Sequence, residues 1–220
     1  MNSKEKAFLS ESEKKVFDLD HRKKMNFSLK QADDTFKKGR LQFSDLETTR
    51  KIAKNIKWQA IEHLHTYLKE FETRFTQNGG KVIWAEDTQQ ALDEILNICK
   101  RSQAKTIVKS KSIVTEEIHL NQFLTKHNIE VLETDLGEYI QQLDGEAPYH
   151  IVSPSLHKSK EDVAKLFHEK LNVPSHLTPE ELTLVARKKL RKKYPIAEIG
   201  ITGINFILPD IGGVAITENE

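Results

Sequence analysis

Two lysines, two serines and two glutamates crowd into the stretch KTIVKSKSIVTEEI, residues 105–118. Lys109, Ser110, Lys111 and Ser112 follow a short apolar run and precede an amphipathic one, which places them at a strand-to-helix junction. Cations and hydroxyls beside the free N–H groups of a helix start attract an anion. The turn lacks the glycines of a phosphate loop, so taken alone it is a weak anion signal, and a solvated turn is the plainer alternative. Of the two adjacent acids that follow, Glu116 and Glu117, Glu117 is the one expected to be able to orient a hydroxyl or accept a proton.

Two more polar clusters interrupt apolar sequence. Glu133-Thr134-Asp135 follows the strand-like IEVLE, and Thr202-Gly203-Ile204-Asn205 sits within an apolar stretch. Open α/β sheets bind ligands beyond the carboxyl ends of their strands. The three clusters are therefore expected to share one rim. The candidate binding residues there are Lys109, Ser110, Lys111, Asn121, Asp135, Thr202 and Asn205, with Glu117 and Glu133 as candidate catalytic carboxylates. Lysines and backbone amides would hold a small organic acid, and a glutamate would handle its hydroxyl or proton. His157, after another strand-like run, is placed within reach of this rim. No HExxH, GxSxG or Ser-His-Asp pattern occurs, so no metal site is expected.

The elements that position these groups follow from periodicity. On a helical wheel continuing from Ser112 to His127, Ile113, Leu120 and Leu124 share one direction. Glu117 and Asn121 fall inside that apolar arc, whereas Glu116 falls outside and is expected to face water. A carboxylate buried without a partner costs several kcal/mol. Glu117 therefore needs Lys109, Lys111 or a ligand, and a purely structural Glu–Lys tie stays open.

Strands are predicted at 81–86, 106–108, 129–133, 150–152, 198–202, 204–208 and 213–217, and helices at 88–101, 113–127, 136–143, 160–171 and 179–194. This alternation predicts a three-layer α/β fold with a mostly parallel sheet at 79–220. Residues 1–78 carry no strong strand signal and form a helical extension, with one long helix from Ser44 to Asn78 opened by a Ser44/Glu47 capping box. Gly203 and Gly212-Gly213 mark turns or close backbone approaches. The basic run 187–193 ends a helix, where cations complement the backbone dipole, and has no interleaved aromatic. A solvated helix end is preferred there over a phosphate site.

Among 220 residues, 30% are charged and the net charge is +1, which gives no reason to expect nucleic acid as a partner. No apolar run is long enough to span a membrane, and the polar N-terminus is unlike a secretory signal, so the chain is expected to be cytoplasmic. The single Cys99, on the apolar face of a helix, reads as a small buried hydrophobe. The chain stops directly after a strand, as if truncated.

Three stretches carry a resemblance. KSKSIVTEEIHLNQFLTKHNIEVLETDLGEYIQQL, PYHIVSPSLHKSKEDVAKLF and EIGITGINFILPDIGGVAITENE together resemble the LUD (lactate-utilization) domain family, above all its iron–sulfur subunits. The resemblance covers residues from about 20 to 220. It implies a fold similar to sugar-phosphate isomerases and CoA transferases, and a part in cytoplasmic oxidation of L-lactate to pyruvate by several subunits. Iron–sulfur members carry closely spaced cysteines beyond this domain. With one cysteine, the chain is expected to hold no cofactor itself, the 4Fe–4S clusters belonging to a missing C-terminal part. A LUD module of an iron–sulfur oxidoreductase, not active alone and joined by the other subunits of a lactate-utilization complex, is the leading expectation. An isomerase- or transferase-type enzyme and a non-catalytic scaffold are the alternatives.

Overall fold

Ile107 has no exposed surface, and it marks the middle of the sheet that organises the fold. The computed structural model describes residues 2–150 and 153–217. They form two units, Met1–Thr49 with Ile140–Leu182, and Arg50–Tyr139 with Thr183–Glu220.

The first unit is helical. It contains α1 (Ser3–Phe17), α2 (Leu19–Arg40) and α9 (Lys160–Leu171). Asn2 opens α1 with a capping box, and Asp18 both ends α1 and caps α2 by accepting from the His21 N–H at 2.9 Å. Ala164, Leu166 and Phe167 are the buried face of α9. A sharp polar corner at Asp18 thus turns one helix into the next, its side chain satisfying one of the free donors at the second N-terminus.

The second unit holds the sheet. Its strands are β1 (Thr106–Lys109), β2 (Glu130–Glu133) and β3 (Ile199–Ile201), in the order β2-β1-β3 and all parallel. Thr106 pairs with Glu130 and Lys109 with Glu133, while Lys109 also lies opposite Ile201. The three carboxyl ends therefore come level. β1 is the central strand, and its two middle residues, Ile107 and Val108, are consecutive apolar residues, as suits a strand of a parallel sheet with little access to water. Leu92, Leu96 and Cys99 of α5 (Thr88–Arg101) pack with Ile107, Leu120, Leu124 and Val131 in the core. At the opposite end, the Glu198 carboxylate accepts from the Lys105 and Thr106 N–H groups at 3.0 and 2.9 Å. Those bonds hold its pKa below the usual range and fix the start of β1 against β3.

Several expectations are corrected. The helix foreseen over 44–78 is two helices, α3 (Leu46–Glu62) and α4 (Leu64–Gln77), interrupted at His63, whose carbonyl accepts from both Thr66 and Tyr67. Its cap is Asp45, which accepts from the Thr48 N–H at 3.0 Å, and not Ser44. KVIWAE, residues 81–86, is no strand: Ile83 and Trp84 are exposed, and the Trp84 indole donates to Glu72 at 2.9 Å. Its short apolar run suits a strand, yet among the described residues no neighbouring strand supplies the ladder. The strand expected over 150–152 falls mainly on residues outside those described. The helix expected at 113–127 divides into α6 (Ile113–Glu117) and α7 (Leu120–Lys126), because His119 adopts left-handed geometry at φ 53°. α10 (Pro179–Arg191) ends earlier than expected, and Pro195 directs the chain into a short 3₁₀ turn at Tyr194–Ile196.

β4 (Phe206–Leu208) and β5 (Gly213–Ala215) form a separate antiparallel pair. Gly212 has φ 60°, and a Cβ there would lie 2.5 Å from the Arg74 carbonyl carbon. The Asn78 amide donates to the Ile211 and Gly212 carbonyls, so the hairpin sits against the end of α4.

Candidate functional site

The carboxyl ends of β1 and β2 carry an ionic cluster with almost no access to water. Lys109, the last residue of β1, is 0% exposed, Glu133, the last of β2, 2%, and Glu138, in the first turn of α8 (Leu136–Asp144), 5%. The register that sets Lys109 opposite Glu133 brings the ammonium within 2.9 Å of Glu133 Oε1. It also lies 3.1 Å from Glu116 Oε1 and donates to Thr115 Oγ1 at 3.1 Å. An ammonium has three hydrogens, and these three acceptors use them all. Burial disfavours the charged form, but Glu133 and Glu116 outweigh it, and the Lys109 pKa rises above its usual value.

The break at His119 explains which acids take part. It turns Thr115 and Glu116 of α6 toward Lys109 while Leu120 and Leu124 of α7 enter the core. Glu117 is consequently exposed and stands outside the cluster, contrary to its place on a continuous wheel. Asn121 does face inward, and its amide donates to Glu133 Oε1 at 2.5 Å.

Asp135 caps α8, accepting from the Glu138 N–H at 2.9 Å, and pairs with Lys111 at 3.3 Å. Burial, followed by the Glu133 carboxylate, raises the Glu138 pKa from 4.5 to about 8, against the opposing pull of Lys109. Glu138 is therefore a neutral acid at neutral pH. Its Oε2 and Asn121 Oδ1 are both buried and find no hydrogen-bond partner among the described residues.

Around this interior lies a more open ring. Ser110 Oγ and Thr202 Oγ1 are 2.7 Å apart, bridging the ends of β1 and β3. The Lys111 side chain is 30% exposed and is the rim cation with the greater access to solvent. A Cβ on Gly203 would come 2.7 Å from the Lys111 carbonyl oxygen, so this glycine permits the close passage of the two segments. Asn205, in contrast, is exposed in the hairpin and accepts from the Thr217 N–H at 2.8 Å. It stabilises a turn and does not join the cluster.

The structure thus gathers Lys109, Ser110, Lys111, Asn121, Glu133, Asp135 and Thr202 at the strand ends, leaves Glu117 and Asn205 out, and adds Thr115, Glu116 and Glu138. The Asp-Leu-Gly-Glu spacing of 135–138 is that of a helix cap followed by an acid at its third position. That signal places Glu138 beside the end of β2.

The first unit has its own polar cleft of about 350 Å³, lined by His21, Lys24, His157 and Lys158 among others. Its charges pair internally: Lys24 with Asp20 and Asp162, Lys158 with Asp144 and Glu146. His157 bonds Glu146 at 3.1 Å, and burial lowers its pKa despite that carboxylate.

The class is α/β, a parallel sheet whose strand ends in this chain carry a lysine–carboxylate cluster beside a more open polar ring. The chain belongs to the LUD domain family, whose model matches residues 68–220. Lactate utilization protein B of Oceanobacillus iheyensis is 38% identical over 200 residues, which cover 89% of this chain and 42% of that protein. Lactate utilization protein B of Bacillus subtilis is 44% identical over 175 residues, 79% of this chain and 36% of its own length. YkgF of Escherichia coli, an uncharacterized electron transport protein, is 42% identical over 174 residues, 79% of this chain and 37% of its own length. The chain thus spans about two-fifths of the length of these curated relatives. No solved structure matches it.

An iron–sulfur cluster takes several thiolates. This chain has one cysteine, and Cys99 is 1% exposed in the core with its thiol pKa pushed up by burial. Its residues do not fit such a cluster. Among the described residues no group of side chains suits a metal ion, and no helix is long and apolar enough to cross a membrane.

Proposed function

We propose that this chain is the ligand-binding LUD module of an assembly that oxidises L-lactate to pyruvate, and that the rim of its parallel sheet holds the organic acid. Electron transfer is assigned to 4Fe–4S clusters held by cysteines other than Cys99, on sequence outside these 220 residues, the relatives being longer, or in partner subunits of a cytoplasmic lactate-utilization complex. The relatives named for lactate utilization support the pathway, and a supply of one buried cysteine supports the separation of roles.

One observation carries the choice of site: hydroxyls, a solvent-facing lysine and a buried proton-bearing acid meet at the ends of adjacent parallel strands. Lys109 is a positioning residue, because its hydrogens are already committed to protein acceptors. Lys111 is the cation that meets the ligand carboxylate, with Ser110 and Thr202 beside it. Isothermal titration of L-lactate and pyruvate into the full chain tests this. Binding of at least one is expected, weakened about tenfold in Lys111→Ala, equal to about 1.4 kcal/mol. No binding of either, or full binding by the variant, would overturn the assignment.

A further inference from the structure

Two lysines face four acids in the buried cluster, and among the described residues Glu138 is the acid of this cluster that makes no ion pair. Lys111 answers Asp135, and Lys109 is shared between Glu133 and Glu116. Glu138 is buried against these same groups, facing Glu133 from β2, Lys109 from β1 and Asp135 from its own helix cap. Its Oε2 has no hydrogen-bond partner among the described residues. An ionised carboxylate with a dry, unanswered oxygen is strongly disfavoured, whereas a shared proton between adjacent carboxyls removes one of two like charges.

We propose that Glu133 and Glu138 hold a single proton between them, and that Glu138 is the group through which the rim takes up a proton when a carboxylate ligand binds. The second half rests on the reading of the rim as an organic-acid site. The balance is simple: the ligand arrives as an anion, its negative charge adds to those of Glu133 and Asp135, and the deprotonated fraction of Glu138 accepts a proton from solvent. No bond to the ligand forms. At pH 6 Glu138 is already protonated and has none to take, whereas near pH 8 about half of the molecules do. Glu138 is thus a positioning residue whose protonation state follows occupancy of the rim.

Two measurements on the full chain separate this proposal from the assignment of the site. The first needs no ligand: carbon-13 NMR of the glutamate carboxyls is followed from pH 4 to 10. Glu138 is expected to titrate more than two pH units above an ordinary glutamate, and to move back down in Glu133→Gln. Titration of Glu138 in the ordinary carboxylate range would overturn the shared proton whatever the ligand does. The second is calorimetric titration of L-lactate in buffers of different ionisation enthalpy. Uptake of up to about half a proton per ligand bound is expected at pH 8, none at pH 6, and none at either pH in Glu138→Gln, whatever its affinity. Binding without proton uptake at pH 8 would overturn the linkage while sparing the site. Absence of L-lactate and pyruvate binding would overturn the linkage with the site and leave the NMR result standing.

Discussion

Replacing Lys109 by methionine keeps most of the side-chain volume and removes the cation between Glu133 and Glu116. A buried ion pair broken on one side leaves an uncompensated charge, and such losses run to about 3–5 kcal/mol. Lys109→Met is therefore expected to lower the urea midpoint strongly, whereas Glu117→Gln, on an exposed carboxylate, is expected to change stability by no more than about 0.5 kcal/mol. Equal effects of the two substitutions would contradict the cluster as described. Glu138 has an opposite pH signature to an ordinary ion-paired acid. Its folded pKa, about 8, lies above the ordinary 4.5, so the folded chain binds the extra proton between those values. Stability from this group is complete below about pH 4.5, declines as pH rises toward 8 and is level beyond. Glu138→Gln is expected to flatten that decline in pH-dependent urea unfolding. A slope unchanged from wild type would show that Glu138 ionises normally.

The elements were legible wherever a pattern decides structure without a distant partner. The helices at 88–101 and 160–171 and the strand end at Glu133 follow directly from periodicity and caps, while the strand predicted at 106–108 runs one residue further, to Lys109. What periodicity does not carry is a single residue in left-handed geometry or the presence of a neighbouring strand. His119 shows the first: one φ of 53° swaps Glu116 and Glu117 between core and solvent. KVIWAE shows the second, with the apolar run of a strand but, among the described residues, no ladder. Gly203 tests how tightly the elements beneath the rim are set. A methyl group there meets the Lys111 carbonyl, and overpacking of this kind costs typically about 1–3 kcal/mol. Gly203→Ala is expected to destabilise the fold by that order in chemical denaturation, while Gly200→Ala, with open space at its Cβ, is expected to cost less. The reverse order would contradict the close passage of 111–112 and 203.

Taken whole, the chain offers two polar features, the strand-end rim of one unit and the cleft of the other, and they differ in how their charges are used. Lys24 and Lys158 of the cleft are matched by adjacent acids, while the rim places a partly exposed lysine and two hydroxyls at the same strand ends as a buried acid whose pKa is raised to about 8. Of the sequence clusters KSKS, ETD and TGIN, parallel register brings Lys109, Glu133 and the start of TGIN to level strand ends, while Asn205 of TGIN falls outside them. The clusters were not enough to rank the residues of the rim, since that ranking depends on which acid reaches the saturated lysine. Amide NMR of the full chain titrated with L-lactate at pH 7 is the most direct test. Shifts are expected at 110–112, 134–136 and 202–203, with His21 and His157 unmoved. Shifts confined to the cleft around His21 and His157, or no shifts at all, would contradict the rim as the organic-acid site.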